Sequence, residues 1–374
     1  MKIATSLFIL CAGSLLALGM VVLYSAGMDK EGARFLVRQS VWAAVGLVVC
    51  LAMVAMDYRR LKQAGWILLG ISVVLLILVF VPPFRCPTNG ASRWLNLKVM
   101  KFQSSELAKL ALLITLAAYC EKNQKHMRSF WRGMIVPGAV AGCILVLVFA
   151  EPDWGTTALL GTVSLALLLL GGMRWVFLLP VVPLGVAGLG FLLLNNSVRM
   201  ARVMAWLHPE LHKDGAGYQV TQAIYALGSG GWFGLGLGNG RQKLGFVPEH
   251  HTDFILSVIG EELGLVATLG IVAAFLVLVV CGLYIAWNSS DQFGVLLGSS
   301  ISLMIGLQAF INIGVVTAVL PNKGLPLPFI SYGGSNLVIM LTCVGLLLSI
   351  ARRAGPRSGL PGNSLESAAA TLPY

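Results

Sequence analysis

"IATSLFILCAGSLLALGMVVLYSAG" runs from Ile3 to Gly27, with Lys2 before it. A cleaved secretory signal has an apolar run of about 7–15 residues. This run is longer, and about 20 apolar residues suffice to cross the hydrocarbon core as a helix. It reads as a first spanning helix. Working outward, comparable runs recur at about 35–56, 64–83, 104–120, 133–150, 155–172, 174–194, 254–286, 294–319 and 334–351. The chain is 57% hydrophobic and 11% charged, where a soluble domain is about 25% charged. Only helices and closed barrels satisfy their backbone in lipid, and these runs are continuous rather than alternating, which excludes a barrel. The expectation is an all-α polytopic membrane protein of about ten transmembrane helices.

Residues 195–253 then form a large extracytoplasmic loop between helices 7 and 8. Lys and Arg divide almost evenly between the two sides until the long segments 84–103 and 195–253 are set aside. The short loops then place the basic residues on the side of both termini, which predicts cytoplasmic termini. Residues 1–354 read as one membrane domain, and the Pro/Gly/Ser/Ala-rich 355–374 as a disordered cytoplasmic tail. Basic outer segments suit an anionic ligand at the membrane face; nothing points to nucleic acid. All cysteines but Cys86 fall inside apolar runs without a CxxC pair, so they read as small core residues.

The ionisable groups cluster in "VPEHHTDFILSVIGEELG", Val247–Gly264. Asp253 has an ordinary reading as a helix cap, shared with Thr252. Glu261 and Glu262 lie inside a span, where charge is costly and usually faces a partner or a wet cavity. By helical geometry Asp253 and Glu261 can line one cavity, with Glu262 pairing elsewhere. In "FQSSELAKLALL" Glu106 and Lys109 stand at i, i+3. They form either a local pair or, through Lys109, a link to the carboxylates of span eight. "CPTNGASRWLNL", Cys86–Leu97, offers Arg93 and Trp94 as interfacial anchors or ligand contacts. "LGSGGWFGLGLGNGRQKLGF", Leu227–Phe246, is a flexible loop or a phosphate cradle, with Arg241 and Lys243 beside it. "EPDWGTTALL" places Asp153 as a helix cap. "LPNKGLPLPFISYGGSNL", Leu320–Leu337, cannot be a continuous helix; it reads as a re-entrant or cavity-lining loop near Gln308 and Asn312. A zinc site from His208, His212, His250 and His251 lacks an HExxH or Cys partner.

Taken together, "FQSSELAKL", "EPDWGT", "GLGNGRQKLGFVPEHHTDFILSVIGEELG" and "LPNKGLPLPFISYGGSNL" resemble, in order and over nearly the whole chain, the SEDS family (shape, elongation, division and sporulation). The "PNKG" form resembles its cell-division branch more than its elongation branch. "EPDWGT" and "FQSSE" depart from the usual "QPDLGT" and "FQPSE". The resemblance implies a peptidoglycan glycosyltransferase that polymerises lipid II at the outer face of the bacterial cytoplasmic membrane. Its partners would be undecaprenyl-linked glycan, a class B penicillin-binding protein, and other division or elongation proteins. Asp253 of "HTDF" is the implied catalytic residue, acting as general base in an inverting displacement. Glu106, Lys109, Glu261, Glu262 and Ser331 are expected to support the cavity. Arg93, Trp94, Lys98, Arg241, Lys243, His251 and Lys323 are expected on pyrophosphate or sugar. No metal ligand set is expected, although a divalent cation such as Mg or Mn would suit the leaving group. A lipid II flippase and a non-catalytic scaffold for the penicillin-binding protein are the alternatives.

Overall fold

The computed structural model describes residues 1–27, 34–82, 85–88, 91–96, 101–195, 197–211, 215, 217–241 and 251–354. The tail 355–374 therefore lies outside the described residues. Each expected span contains a helix. The first three are α1 (Lys2–Ala26), α2 (Arg34–Ala55) and α3 (Leu61–Leu78). A three-stranded antiparallel sheet follows: β1 (Arg85–Thr88), β2 (Ala91–Asn96) and β3 (Lys101–Gln103). Then come α4 (Ser104–Lys122), α5 (Val136–Ala150), α6 (Trp154–Leu170) and α7 (Leu178–Leu194). Two short helices, α8 (Ser197–Leu207) and α9 (Tyr218–Ser229), precede α10 (Ile255–Trp287), α11 (Gln292–Val316) and α12 (Gly334–Arg352). The sheet, α8 and α9 were not expected; they occupy what reads in the sequence as plain loop.

Among the described residues, seven helices are long and apolar enough to cross a membrane: α1, α2, α3, α5, α10, α11 and α12, with α3 and α5 counted from Tyr58 and Trp131. The apolar α6 is shorter. The exception in composition is α4, which carries Glu106 in its first turn and Lys109 one turn further in. It tolerates them because it sits centrally, against α3, α5, α6, α11 and α12. Val48, Ile67 and Val280, by contrast, are about two-thirds exposed, a belt of apolar side chains that lipid solvates and water would not.

The two ends of the bundle differ. At one end Lys62 Nζ lies 2.8 Å from Glu121 and 2.9 Å from Asp291, joining the first turn of α3, the end of α4 and the start of α11. Arg353 pairs with Asp57 at the same end. The other end carries the sheet, the 251–254 turn and the 317–333 loop, and is called the site end below.

Ten residues into α10 the helix breaks at Gly264, with φ 78° and ψ −174°. The glycine-rich loop after α9 lies against this break. Leu235 N–H donates to Glu261 O (2.9 Å), Gly236 to Glu262 (2.9 Å), Leu265 to Gly231 (2.9 Å) and Val266 to Trp232 (3.2 Å). The loop thus makes good the hydrogen bonds the helix loses at its kink. A Cβ at Gly264 would collide with backbone of Trp232, Phe233 and Gly234. That backbone region is essentially glycine-only, at about 1–3 kcal/mol for another residue, and overpacking adds about 1–3 kcal/mol. Gly264→Ala should therefore lower the thermal midpoint in detergent by several degrees. An unchanged midpoint would mean the loop is not seated on the kink.

Candidate active site

Three prolines between α11 and α12 deprive the chain of helical N–H donors, so the 317–333 loop must find partners elsewhere. Side chains supply them. Gln308 Nε2 donates to Pro326 O (2.9 Å) and Asn312 Nδ2 to Leu325 O (2.7 Å), both from α11. From α2, Gln39 donates to Ser331 O (3.2 Å) and accepts from Gly333 N–H (3.3 Å). From α8, Trp206 donates to Ala318 O (3.0 Å), and Asn322 reaches Gln219 of α9 (3.0 Å). Irregular backbone here is held by protein, as the membrane setting requires.

The 251–254 turn is sewn to this loop. Ser331 Oγ accepts from Leu327 N–H (2.8 Å) and donates to Thr252 O (2.6 Å). Tyr332 N–H donates to His251 O (3.0 Å). The amide of Asn312 that holds Leu325 also donates to Asp253 O (2.8 Å). Phe254, not Asp253 or Thr252, takes the N-cap position of α10, without a side-chain cap. The capping reading of Asp253 is thereby corrected. Its half-buried carboxylate instead lies over Gly324: a Cβ there would come 2.5 Å from Oδ2. Lys323 is next in the chain, half-buried and without an ion-pair partner among the described residues, and burial pulls its pKa below the ordinary lysine value. His251 stacks on Phe35 (4.6 Å between centroids) with Tyr332 beside both, walling the turn on the α2 side.

Beneath the loop runs a buried polar chain. Asn336 Nδ2 donates to Glu106 Oε2 (3.0 Å), Lys109 Nζ lies 3.0 Å from the same oxygen, and Lys109 donates to Gln308 Oε1 (3.0 Å). The sequence left open a reach from Lys109 to the carboxylates of α10. The structure corrects this: Lys109 pairs with Glu106 and Gln308, through which it holds the proline-rich loop. Glu261 and Glu262 face the glycine-rich loop and α1. Glu261 Oε1 accepts from Arg241 N–H (2.8 Å), and Glu262 accepts from Ser25 Oγ (2.6 and 2.8 Å). Glu261 lines a cavity of about 490 Å³ with Ser229, Leu235, Asn239 and Arg241.

Of the expected anion contacts, Arg93 gives its guanidinium to the carbonyls of Glu151 (3.2 Å) and Pro152 (2.6 Å) in the α5–α6 turn. Trp94 is half-buried in β2, paired with Gln103. The Arg241 side chain is exposed. Lys98, Lys243 and His250 lie outside the described residues. Sequence reading missed Gln39, a lone amide in an apolar span whose oddity was the available signal. It also missed Ser25, which carried no signal. Among the described residues no three His, Cys, Asp or Glu side chains converge.

Asp153 caps α6 as expected, accepting from Thr156 N–H (3.2 Å) and Oγ1 (2.9 Å). Glu151 beside it is fully buried. Ser104 Oγ donates to its Oε1 (3.0 Å), and Oε2 has no partner among the described residues. Burial, reinforced by Asp153, pushes its pKa to about 8 against the opposing pull of Ser104 and Arg93. The native state thus keeps this proton over a range, about pH 4.5 to 8, in which the unfolded chain has lost it. Stability falls as pH rises through that window and levels off above it. Glu151→Gln should remove this loss, raising the thermal midpoint at pH 8 relative to wild type and leaving pH 4 unchanged. Equal midpoints at pH 8 would contradict the burial argument.

Residues 5–355 match the family model FtsW/RodA/SpoVE, described as cell cycle protein. The chain is 40% identical over 352 residues to the probable peptidoglycan glycosyltransferase FtsW of Geobacter metallireducens, covering 92% of this chain and 94% of that protein. It is 39% identical to the protein of the same name from Marinobacter nauticus, covering 90% and 86%. Among solved structures, it resembles a chain of a peptidoglycan synthase complex that coordinates polymerization and crosslinking, with TM-score 0.77, 28% identity, and 92% and 96% coverage. It also resembles the rod shape determining protein RodA of Thermus thermophilus, with TM-score 0.69, 28% identity, and 92% and 95% coverage.

Proposed function

Because the chain belongs to the FtsW/RodA/SpoVE family of cell cycle proteins, we propose that its site end polymerises lipid II, with Asp253 as the general base. The chain is a multi-pass membrane protein and a peptidoglycan glycosyltransferase. The observation that supports this assignment is the seam between the 251–254 turn and the 325–332 loop, which holds the Asp253 carboxylate over the glycine of "NKG".

In the proposed reaction the sugar 4-hydroxyl of an incoming lipid II attacks the anomeric carbon of the growing strand. The bond from that carbon to undecaprenyl pyrophosphate breaks, and the pyrophosphate leaves with the bonding pair. Asp253 takes the hydroxyl proton as the new bond forms. An α-linked donor yielding a β-linked glycan inverts at carbon in one in-line displacement. Lys323 supplies positive charge to the departing pyrophosphate, the kind of fixed charge that stabilises a developing anion. Glu106, Lys109 and Gln308 are positioning residues, acting through the loop.

The site end then faces outward from the cytoplasmic membrane, with both termini in the cytoplasm. Cysteines placed at Arg93 and Tyr218 should label from outside intact cells, and those at Arg60 and Lys125 should not; the opposite pattern would overturn this orientation. A class B penicillin-binding protein is the proposed partner, and the resemblance to a synthase complex supports it. Purified protein with that partner and labelled lipid II tests the function. Glycan strands are expected; label crossing vesicles without polymer would favour a flippase, and neither would favour a scaffold. Gly324→Ala is the local probe. Gly324 is exposed, so folding should survive. The new methyl displaces the Asp253 carboxylate, and a misplacement of about 1 Å costs on the order of 10²-fold. Polymer yield equal to wild type would place the working carboxylate elsewhere.

A further inference from the structure

The stretch "GGWFGLGLGNG", Gly230–Gly240, intersperses glycines with large apolar residues. The glycines touch α10: a Cβ at Gly230 would collide with the Gly260 carbonyl, and one at Gly234 with that of Glu262. The intervening side chains consequently turn outward. Trp232 is 68% exposed and Phe233 83%, and Leu235 and Leu237 are also exposed.

Two lengths fix the level of this tip. Glu262, against the loop, meets Ser25 in the last turn of α1, about 35 Å of helix from Lys2 at 1.5 Å per residue. From the kink, Leu265 to Trp287 spans about 33 Å on the same rise. Both match the hydrocarbon thickness of about 30 Å plus its margin. The loop therefore lies at the membrane boundary on the site end. Below it the exposed Leu265, Val266 and Leu269 of α10 continue the apolar surface into the lipid-facing belt.

We propose that Trp232 and Phe233, with Leu237, are embedded in the lipid leaflet on the site side, at the boundary of headgroups and acyl chains. Aromatic side chains favour that level. The loop is then gripped on one face by the α10 kink and on the other by lipid. This goes beyond the catalytic assignment and does not depend on it.

The test uses the full chain in lipid vesicles, with and without its partner. Subtracting the fluorescence of Trp232→Phe from wild type isolates Trp232, an exposed position where the variant should fold normally. Phosphatidylcholine brominated high on the acyl chain should quench the isolated signal at least twofold more than aqueous iodide does, in both preparations. Quenching by iodide with indifference to brominated lipid would put the loop in water and overturn the proposal. Quenching by brominated lipid that disappears on partner binding would assign the surface to a partner helix, and overturns it equally.

Discussion

Lys109→Ala should reduce the yield of folded protein at least tenfold, while Lys122→Ala, at an exposed position on the same helix, leaves it unchanged. Lys109 and Glu106 are both essentially without solvent exposure. Their contact at 3.0 Å compensates two charges that neither lipid nor water solvates there. Removing one partner of such a pair costs about 3–5 kcal/mol, because the other is left buried and ionised. The loss also propagates: Gln308 loses the ammonium that fixes its carbonyl, and Gln308 holds Pro326 in the proline-rich loop. The fraction that folds should therefore synthesise glycan poorly. Neutralising both charges separates the two effects. Glu106→Gln with Lys109→Met leaves no buried charge, and should recover most of the yield without restoring full activity. If Lys109→Ala and Lys122→Ala match in yield and in polymer, the buried chain has no such role.

The membrane fold was readable because lipid imposes a simple rule on sequence. A run of apolar residues of bilayer length has few alternatives, and each run holds a helix. The pair at i, i+3 in "SELAK" was equally readable, since helical spacing alone brings Glu106 under Lys109. What Lys109 touches beyond its own helix was not. Gln308 is remote in sequence, and only the packing of α4 against α11 puts them together.

Other misses have local causes. Gly264 sits within an apolar stretch and looks like any helical glycine. The reason for the break, the loop at 230–236, lies earlier in the chain. The β1–β2 pairing brings Thr88 opposite Ala91. The residues between them, Asn89–Gly90, are the strongest short hairpin signal, but flanks such as Cys86–Pro87 lack the alternation that would have made it persuasive. α8 and α9 are too short and polar to register as spans. That Arg93 also holds the carbonyls of the α5–α6 turn was not legible, because those partners are remote in sequence and leave no trace near it. Asp253 was legible as a carboxylate at the mouth of a span, yet its distinction from a helix cap needed the cap itself, Phe254.

Glycan synthesis by Asp253→Asn, beside wild type, is the decisive measurement. Asn keeps the size of the side chain and the main-chain carbonyl that Asn312 holds, so the seam to the loop should persist. It cannot take a proton from the attacking hydroxyl. A positioned base contributes about 10²–10⁴-fold, and the variant should lose that much while it still folds, inserts and binds its partner. Asp253→Glu keeps the charge but moves it, and should also be largely inactive. With equal amounts of each purified complex and labelled lipid II, wild type should yield long strands and Asp253→Asn should leave lipid II unconsumed. Near wild-type polymer from Asp253→Asn, with the protein folded and the partner bound, would contradict the assignment of Asp253 as the base.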